Sequence, residues 1–281
     1  SAVPFHFWTP DVYQGAPTPI VAFMASAVKV AGFAALVRVF VVAFSERGGD
    51  WRPLVGALAI FSILLGSVMA IVQTDVKRML AYSSISHAGF MLIGVHAAGS
   101  ASGDVALAGG RSVLFYMLAY TIAVAGTFAV VTAVSGYGDS NTSLDAFKGL
   151  SGRSPVLAAM MVVLLFSQAG IPFTSGFFAK FRVIVAAADG EQYVMAGIAM
   201  LGSVIGAFLY LRIVVAMFTD TGDAAAEGDE PETAVVVVEP KPAPTVLLAI
   251  TLAVAGTLLL GIWPAVIDTP LGDGARSLLG L

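Results

Sequence analysis

The chain has 281 residues, of which 58% are hydrophobic and 11% are charged, and its formal net charge is −4. Soluble domains carry about 25% charged residues, so this composition is that of a membrane protein. The acidic balance excludes a basic nucleic-acid footprint. The sequence contains no cysteine, which excludes thiol catalysis, disulfides and cysteine-ligated iron–sulfur clusters within the chain.

Long apolar runs dominate the sequence. A transmembrane helix needs about 20 mostly apolar residues, and the segment before the first run, with Pro4, is typical of the tail of another, proline-interrupted helix. The composition therefore predicts an all-α polytopic membrane protein. The predicted runs cover residues 19–44, 54–73, 76–96, 113–134, 155–188, 193–218 and 245–263.

A polar segment divides the last two runs. It is rich in acidic residues and proline, which favours a solvated loop, with a regulatory or docking role as the alternative. The predicted organisation has four parts. These are residues 1–44 (the end of a broken helix plus a lysine-bearing helix), 45–219 (a repeat with a broken helix), 220–244 (the acidic loop) and 245–281 (a terminal helix and tail).

The run from residue 155 to 188 is too long for one straight span, and it contains Gly170 and Pro172. Proline removes a backbone donor and clashes with the preceding turn, so we expect the helix to break near residues 170–173. Broken helices in transporters line polar cavities, whereas a simple packing kink is the alternative interpretation. Pro4-Phe5 resembles Pro172-Phe173, which hints at an internal repeat.

Two lysines lie well inside predicted spans. Placing a charged lysine at the bilayer centre costs about 2.5–3.5 kcal/mol on insertion scales, so Lys29 and Lys180 should face a bundle interior or a wet cavity. Burial favours the neutral form of an amine, which suits a proton relay; a structural lysine held by fixed partners is the alternative. Lys77 and Arg78 begin a span and are interpreted as interfacial anchors.

Polar residues in "LAYSSISHAGF" accompany these lysines. Ser83 and His87 are four residues apart and therefore share a helix face. Histidine titrates near neutral pH, so His87 suits relay duty, although a lone histidine is also compatible with a satisfied core residue. The supporting candidates are Tyr82, Ser84, His6 beside the first proline, and Gln168 beside the second break.

The segments "VPFHFWTPDVYQGAPTP", "QTDVKRMLAYSSISHAGFMLIG" and "AGIPFTSGFFAKF" closely resemble the antiporter-like subunits of respiratory complex I. Within that family, "FHFWTPDVYQGAP" is most similar to the C-terminal part of subunit N of bacterial NADH-quinone oxidoreductase. The resemblance implies an antiporter-like helical bundle with broken transmembrane helices and inverted repeats. It implies that Lys29 is the central lysine, Lys180 the broken-helix lysine, and His87 part of a hydrated helix. It also implies a further lysine and glutamate upstream of Ser1.

The resemblance further implies a function. We expect a non-catalytic, proton-pumping subunit of an NADH:quinone oxidoreductase, multi-pass in the cell (inner or plasma) membrane. NADH, FMN, iron–sulfur clusters and quinone would be bound by partner subunits, with no cofactor in this chain. Antiporter-like subunit M and small subunit K are the expected neighbours, beside the lipid bilayer and without nucleic acid. The alternatives are an Mrp-type sodium/proton antiporter subunit, which shares "QTDVKR", and a structural membrane scaffold.

Overall fold

The computed structural model describes residues 1–101, 103–139, 141–219 and 242–279. Apart from its last residues, the acidic loop predicted at 220–244 lies outside the described residues. Within the described part of the chain, twelve α-helices account for most of the structure. They are α1 (Trp8–Gly15), α2 (Thr18–Phe23), α3 (Lys29–Val37), α4 (Gly48–Ile71), α5 (Val76–Ala98), α6 (Gly103–Ser135), α7 (Leu150–Arg153), α8 (Pro155–Ala169), α9 (Ser175–Asp189), α10 (Tyr193–Phe218), α11 (Pro244–Ile262) and α12 (Asp268–Leu279).

Five helical stretches in the described residues are long and apolar enough to cross a membrane, and they match five of the predicted runs. The more polar α5 has 23 residues and is buried along nearly its whole length. The prediction of an all-α polytopic membrane protein is therefore confirmed. The five stretches are Thr18–Ala43, Ser45–Ile71, Gly103–Ser135, Tyr193–Phe218 and Pro244–Ile262.

Helix α5 forms the centre of the bundle and packs against α1, α4, α6 and α9. Glycines allow the closest of these approaches. A Cβ atom added at Gly66 of α4 would lie 2.5 Å from the backbone nitrogen of Ser86, and one at Gly89 of α5 would lie 2.7 Å from the carbonyl oxygen of Ala59. Small residues at helix interfaces let backbones come together in membranes. The polar residues of α5 are thereby held inside the bundle.

The helical stretch Thr18–Ala43 contains two π-helical turns: Met24–Val28 lies within it, and Arg38–Ala43 forms its end. Lys29 follows the first of these turns directly and is the first residue of α3. Single π-turns inside α-helices are frequent at functional sites. The backbone is thus irregular at the position where the sequence places its first intramembrane lysine.

The predicted run 155–188 is two helices of 15 residues, α8 and α9. Helix α8 ends at Ala169, and Gly170 adopts a left-handed conformation with φ of 89°. At the start of α9, the backbone nitrogen of Gly176 donates to the hydroxyl of Ser167 over 3.0 Å. A Cβ atom at Gly176 would lie 1.8 Å from the carbonyl oxygen of Ser167. The geometry of the break therefore depends on glycine on both sides.

Lys77 is fully buried, so its interpretation as an interfacial anchor is wrong. Its side chain is 1% exposed, and Nζ donates to Asp139 over 3.0 Å and to the carbonyl oxygen of Ala16 over 2.6 Å. Thr18 also donates to Asp139 from its backbone nitrogen and its hydroxyl. Burial raises the pKa of Asp139, but hydrogen bonds from Thr18 and Lys77 outweigh it and hold the pKa below its ordinary value. The ion pair is therefore intact at neutral pH.

We expect Asp139→Ala to destabilise the protein by about 3 kcal/mol, because Lys77 would remain buried without its carboxylate. The measurement is thermal unfolding of the purified complex that contains this chain. Asp145→Ala is the matched control, since it breaks the exposed pair with Lys148, for which about 0–1 kcal/mol is expected. Equal effects of the two substitutions would contradict the assigned role of the buried pair.

Candidate functional site

Lys29 is 8% exposed and points into the bundle interior. Its Nζ donates to the carbonyl oxygen of Ser84 over 2.6 Å and also to the Ser84 hydroxyl. The Nζ atom lies 4.9 Å from the ring centroid of Tyr120, a cation–π distance. The hydroxyl of Tyr13 lies 3.4 Å from the Ser84 hydroxyl. Lys29 is thus held by neutral oxygens and an aromatic face.

His87 lies one turn along α5 from Ser83 and is 5% exposed. Its Nδ1 lies 2.7 Å from the hydroxyl of Tyr116, and its Nε2 lies 2.9 Å from the hydroxyl of Tyr210. The Tyr210 hydroxyl is also hydrogen-bonded to Ser83. Both ring nitrogens therefore have a partner that is able to donate or to accept. Such an arrangement permits the imidazole to take a proton at one nitrogen and release one from the other.

Lys180 lies on α9, just beyond the break, and is 6% exposed. Its Nζ donates over 2.9 Å to the carbonyl oxygen of Ala169, the last residue of α8. The Nζ atom lies 5.1 Å from the ring centroid of Phe90. A Cβ atom at Gly170 would lie 2.9 Å from Cδ of Lys180. The helix break thus supplies both the space for Lys180 and the oxygen that it binds.

A small cavity of about 10 Å³ lies between His87 and the helix break, which is about the size that one water molecule needs. Two of the residues that line it carry a buried polar atom without a hydrogen-bond partner among the described residues, namely the hydroxyl of Tyr120 and Oε1 of Gln168. Gln168 uses its Nε2 to donate to the hydroxyl of Thr127 over 2.8 Å. The lining residues include His87, Tyr116, Tyr120, Ser167 and Gln168. The cavity wall is mainly apolar, although these polar side chains contribute to it.

The structure brings most of the predicted site residues together. Ser84 contacts Lys29, Ser83 joins the histidine network through Tyr210, and Gln168 lines the cavity. Tyr82 is half-buried, and no hydrogen bond links its side chain to another described residue.

The region around the first proline does not join this network. His6 is buried beside the ring of Phe7, and its Nδ1 has no hydrogen-bond partner in the described part of the chain. Pro4 lies in the non-helical turn before α1, and Pro172 is exposed in the α8–α9 break. The described hydrogen bonds therefore leave His6 outside the group formed around His87.

Sequence reasoning missed three tyrosines, Tyr116 and Tyr120 of α6 and Tyr210 of α10. All three are at most 4% exposed. Tyr116 and Tyr120 are four residues apart, so they share a helix face, and a phenol in an apolar span needs a polar partner. The spacing of Tyr116 and Tyr120 could have indicated a buried polar site on α6. The sequence gives no sign that this site includes His87. Among the described residues, no group of three or more histidine, aspartate or glutamate side chains is placed to hold a metal ion.

The fold and this site define a class: a polytopic helical membrane protein with a broken helix, two buried lysines that donate to neutral oxygens, and a histidine–tyrosine network between these two lysines. Residues 1–206 match the model of the family described as NADH:quinone oxidoreductase/Mrp antiporter, transmembrane. The chain belongs to this family. It is accordingly a multi-pass protein of the bacterial plasma membrane.

Individual relatives agree with the family. Over 94% of its length the chain is 48% identical to the Streptomyces griseus protein named NADH-quinone oxidoreductase subunit N 3, of which it covers 44%. The chain thus spans about half the length of the curated relatives it matches. This sequence identity confirms the resemblance to subunit N.

Solved structures agree as well. A chain of respiratory complex I from Thermus thermophilus matches with a TM-score of 0.76 and 33% identity, over 95% of this chain and 54% of that one. A chain of the Mrp complex from Dietzia matches with a TM-score of 0.82 at 24% identity, over 99% of this chain and 56% of that one, which shows a shared fold.

Proposed function

We propose that this chain carries protons across the membrane as part of a complex of the NADH-quinone oxidoreductase type. The observation that carries the proposal is the pairing of Lys29 and Lys180 on either side of His87 and its tyrosines. Buried ionisable residues in membrane proteins face the bundle interior and mark ion pathways. A role in proton transport explains why two ionisable side chains lie inside the bundle.

Neither lysine forms an ion pair with a described residue, and each donates to neutral oxygens instead. A lysine tied to a carboxylate would be held in its charged form, whereas one bound to carbonyl and hydroxyl oxygens is able to lose its proton without leaving a buried anion unpaired. This favours the relay over the purely structural interpretation of Lys29 and Lys180.

The proposed route runs from Lys29 past Ser84 and Tyr120, through the cavity to His87, and then to Lys180. The ring centroids of Tyr120 and His87 are 4.7 Å apart. We propose that a water molecule in the cavity links Gln168 to His87, since both residues line it. Protons would then pass by exchange along hydrogen bonds, with His87 as the intermediate acid and base.

The redox chemistry would lie elsewhere in the complex. We propose that NADH, FMN, iron–sulfur clusters and quinone are bound by partner subunits, and that subunits M and K are neighbours of this chain. The relatives' names support membership of such a complex. Residues 1–44 would contribute the linking lysine and residues 45–219 the outward half of the path, with residues 245–281 closing the bundle.

The test is His87→Met in the complete complex, assayed in inverted membrane vesicles for NADH-driven quinone reduction and acidification. Loss of a positioned acid–base group lowers rates by about 10² or more, so we expect both rates to fall at least about a hundredfold. His96→Met is the matched control, because His96 is equally buried on α5 but lies at its end. An assembled His87→Met complex with normal rates would contradict the relay.

A second candidate is sodium/proton exchange, because the matching family description includes Mrp antiporters and the Dietzia chain shares the fold. The same vesicles distinguish the two functions. Proton transport independent of sodium concentration favours the first, and transport that requires a sodium gradient favours the second.

A further inference from the structure

A charged cavity of about 310 Å³ lies between α6, α9 and α12, on the side of the bundle where α11 ends. Helix α12 follows α11 after the short helical turn Pro264–Ile267, so it lies where a 19-residue span reaches the membrane surface. The cavity is therefore at the level of lipid headgroups. Its lining includes Ala108, Arg111, Ser112, Phe181, Arg182 and Asp268.

The two arginines of this cavity differ in their partners. Arg182 binds Asp268 through Nη2 over 2.6 Å and lies 4.4 Å from the ring centroid of Phe115. Arg111 forms no hydrogen bond or ion pair with any described residue, and its Nε is buried. Its guanidinium rests against α12, because a Cβ atom at Gly272 would lie 2.8 Å from Nη2.

The cavity thus carries two positive charges and one negative charge. The fork of arginine donors matches the oxygens of a phosphate group. A ligand that supplies anionic oxygens to Nη1 and Nη2 of Arg111, which have no partner among the described residues, would balance the excess charge of the cavity.

We propose that this cavity binds the phosphate of an anionic phospholipid headgroup, with Arg111 as the main ligand and Arg182 as the second. The apolar side chains at the cavity favour a lipid over free phosphate. Phe181 is 52% exposed and Val185 is 37% exposed, and both line the cavity. Their surface offers acyl chains a continuous apolar contact next to the charged group.

The test uses the complete complex in nanodiscs of phosphatidylcholine that contain a trace of photoreactive lipid, either phosphatidylglycerol or phosphatidylcholine, with a diazirine near the headgroup. Cross-links are mapped by mass spectrometry to the peptide that holds Phe181 and Val185. We expect the anionic probe to label this peptide about fivefold more than the neutral probe, the effect of one arginine near an anionic headgroup. Arg111→Gln should reduce anionic labelling about tenfold, the effect of losing a charge-assisted hydrogen-bond pair.

Arg47→Gln is the matched control, since Arg47 is exposed and its ion-pair partner among the described residues is Asp50, and it should leave labelling unchanged. Arg111→Lys keeps the charge and should retain most of the labelling, which separates lost binding from misfolding. Equal labelling by the two probes, or undiminished labelling of Arg111→Gln, would overturn the proposal. So would displacement of the label by millimolar inorganic phosphate, or cross-links only to a partner subunit, which would identify free phosphate or a protein carboxylate as the ligand.

Discussion

Lys29→Met in the complete complex is expected to abolish proton transport and the coupled quinone reduction, with a fall in both rates of at least about 10². Methionine fills the same volume without a titratable group. The substitution would leave Ser84 and the face of Tyr120 without the cation that they now contact. The measurement is simultaneous recording of both rates in inverted vesicles, with a native gel to verify assembly.

Lys148→Met is the control for this substitution, because Lys148 is 45% exposed and its ion-pair partner among the described residues is Asp145, three residues away. It should keep both rates near those of the unmodified complex. If Lys29→Met assembled and behaved in the same way, Lys29 would be a structural lysine, and protons would have to follow another route.

Gly176→Ala is expected to destabilise the helix break by about 3 kcal/mol, the upper end of the usual cost of overpacking. The new methyl group would collide with the carbonyl oxygen of Ser167, and a backbone atom cannot move aside as the end of a flexible side chain can. Moving α9 away from α8 would also displace Lys180 from the carbonyl oxygen of Ala169. Thermal unfolding of the purified complex and the transport assay would record the two effects.

Gly197→Ala tests whether the effect of Gly176→Ala is local. Gly197 lies inside α10, and a Cβ atom there would meet nothing within 4 Å. Alanine favours a helix over glycine by about 0.5–1 kcal/mol, so this variant should be neutral or slightly more stable. Comparable destabilisation of both variants would show that the bundle resists any added volume and that the helix break has no special role.

Much of the fold was predictable because the bilayer restricts the choices. A membrane span must form all its backbone hydrogen bonds internally, so the length of each apolar run predicts a helix. The break near Gly170 was predictable because proline at position 172 cannot continue a helix. The burial of Lys29 and Lys180 was expected for the same reason, since both lie far from the ends of apolar runs. These inferences need only short windows of sequence.

The contacts around His87 could not be predicted in this way. Tyr116 and Tyr210 approach it from α6 and α10, across 29 and 123 residues of sequence, so the network is a product of helix packing. Lys77 misled for a related reason. Its position at a helix start suggested contact with water, but its partner Asp139 comes from a turn 62 residues further along.

The direction in which the Lys29 side chain points depends on the winding of the π-helical turn Met24–Val28, which directly precedes it. A π-turn closes its hydrogen bonds over five residues where an α-turn uses four. If this turn rewound to α geometry, the helix beyond it would advance by one residue step, which is a rotation of about 100° and a shift of about 1.5 Å. The ammonium group would then leave Ser84 and face another side of the bundle. Rewinding of this single turn would therefore change the neighbours of Lys29 without any change of its side-chain rotamer.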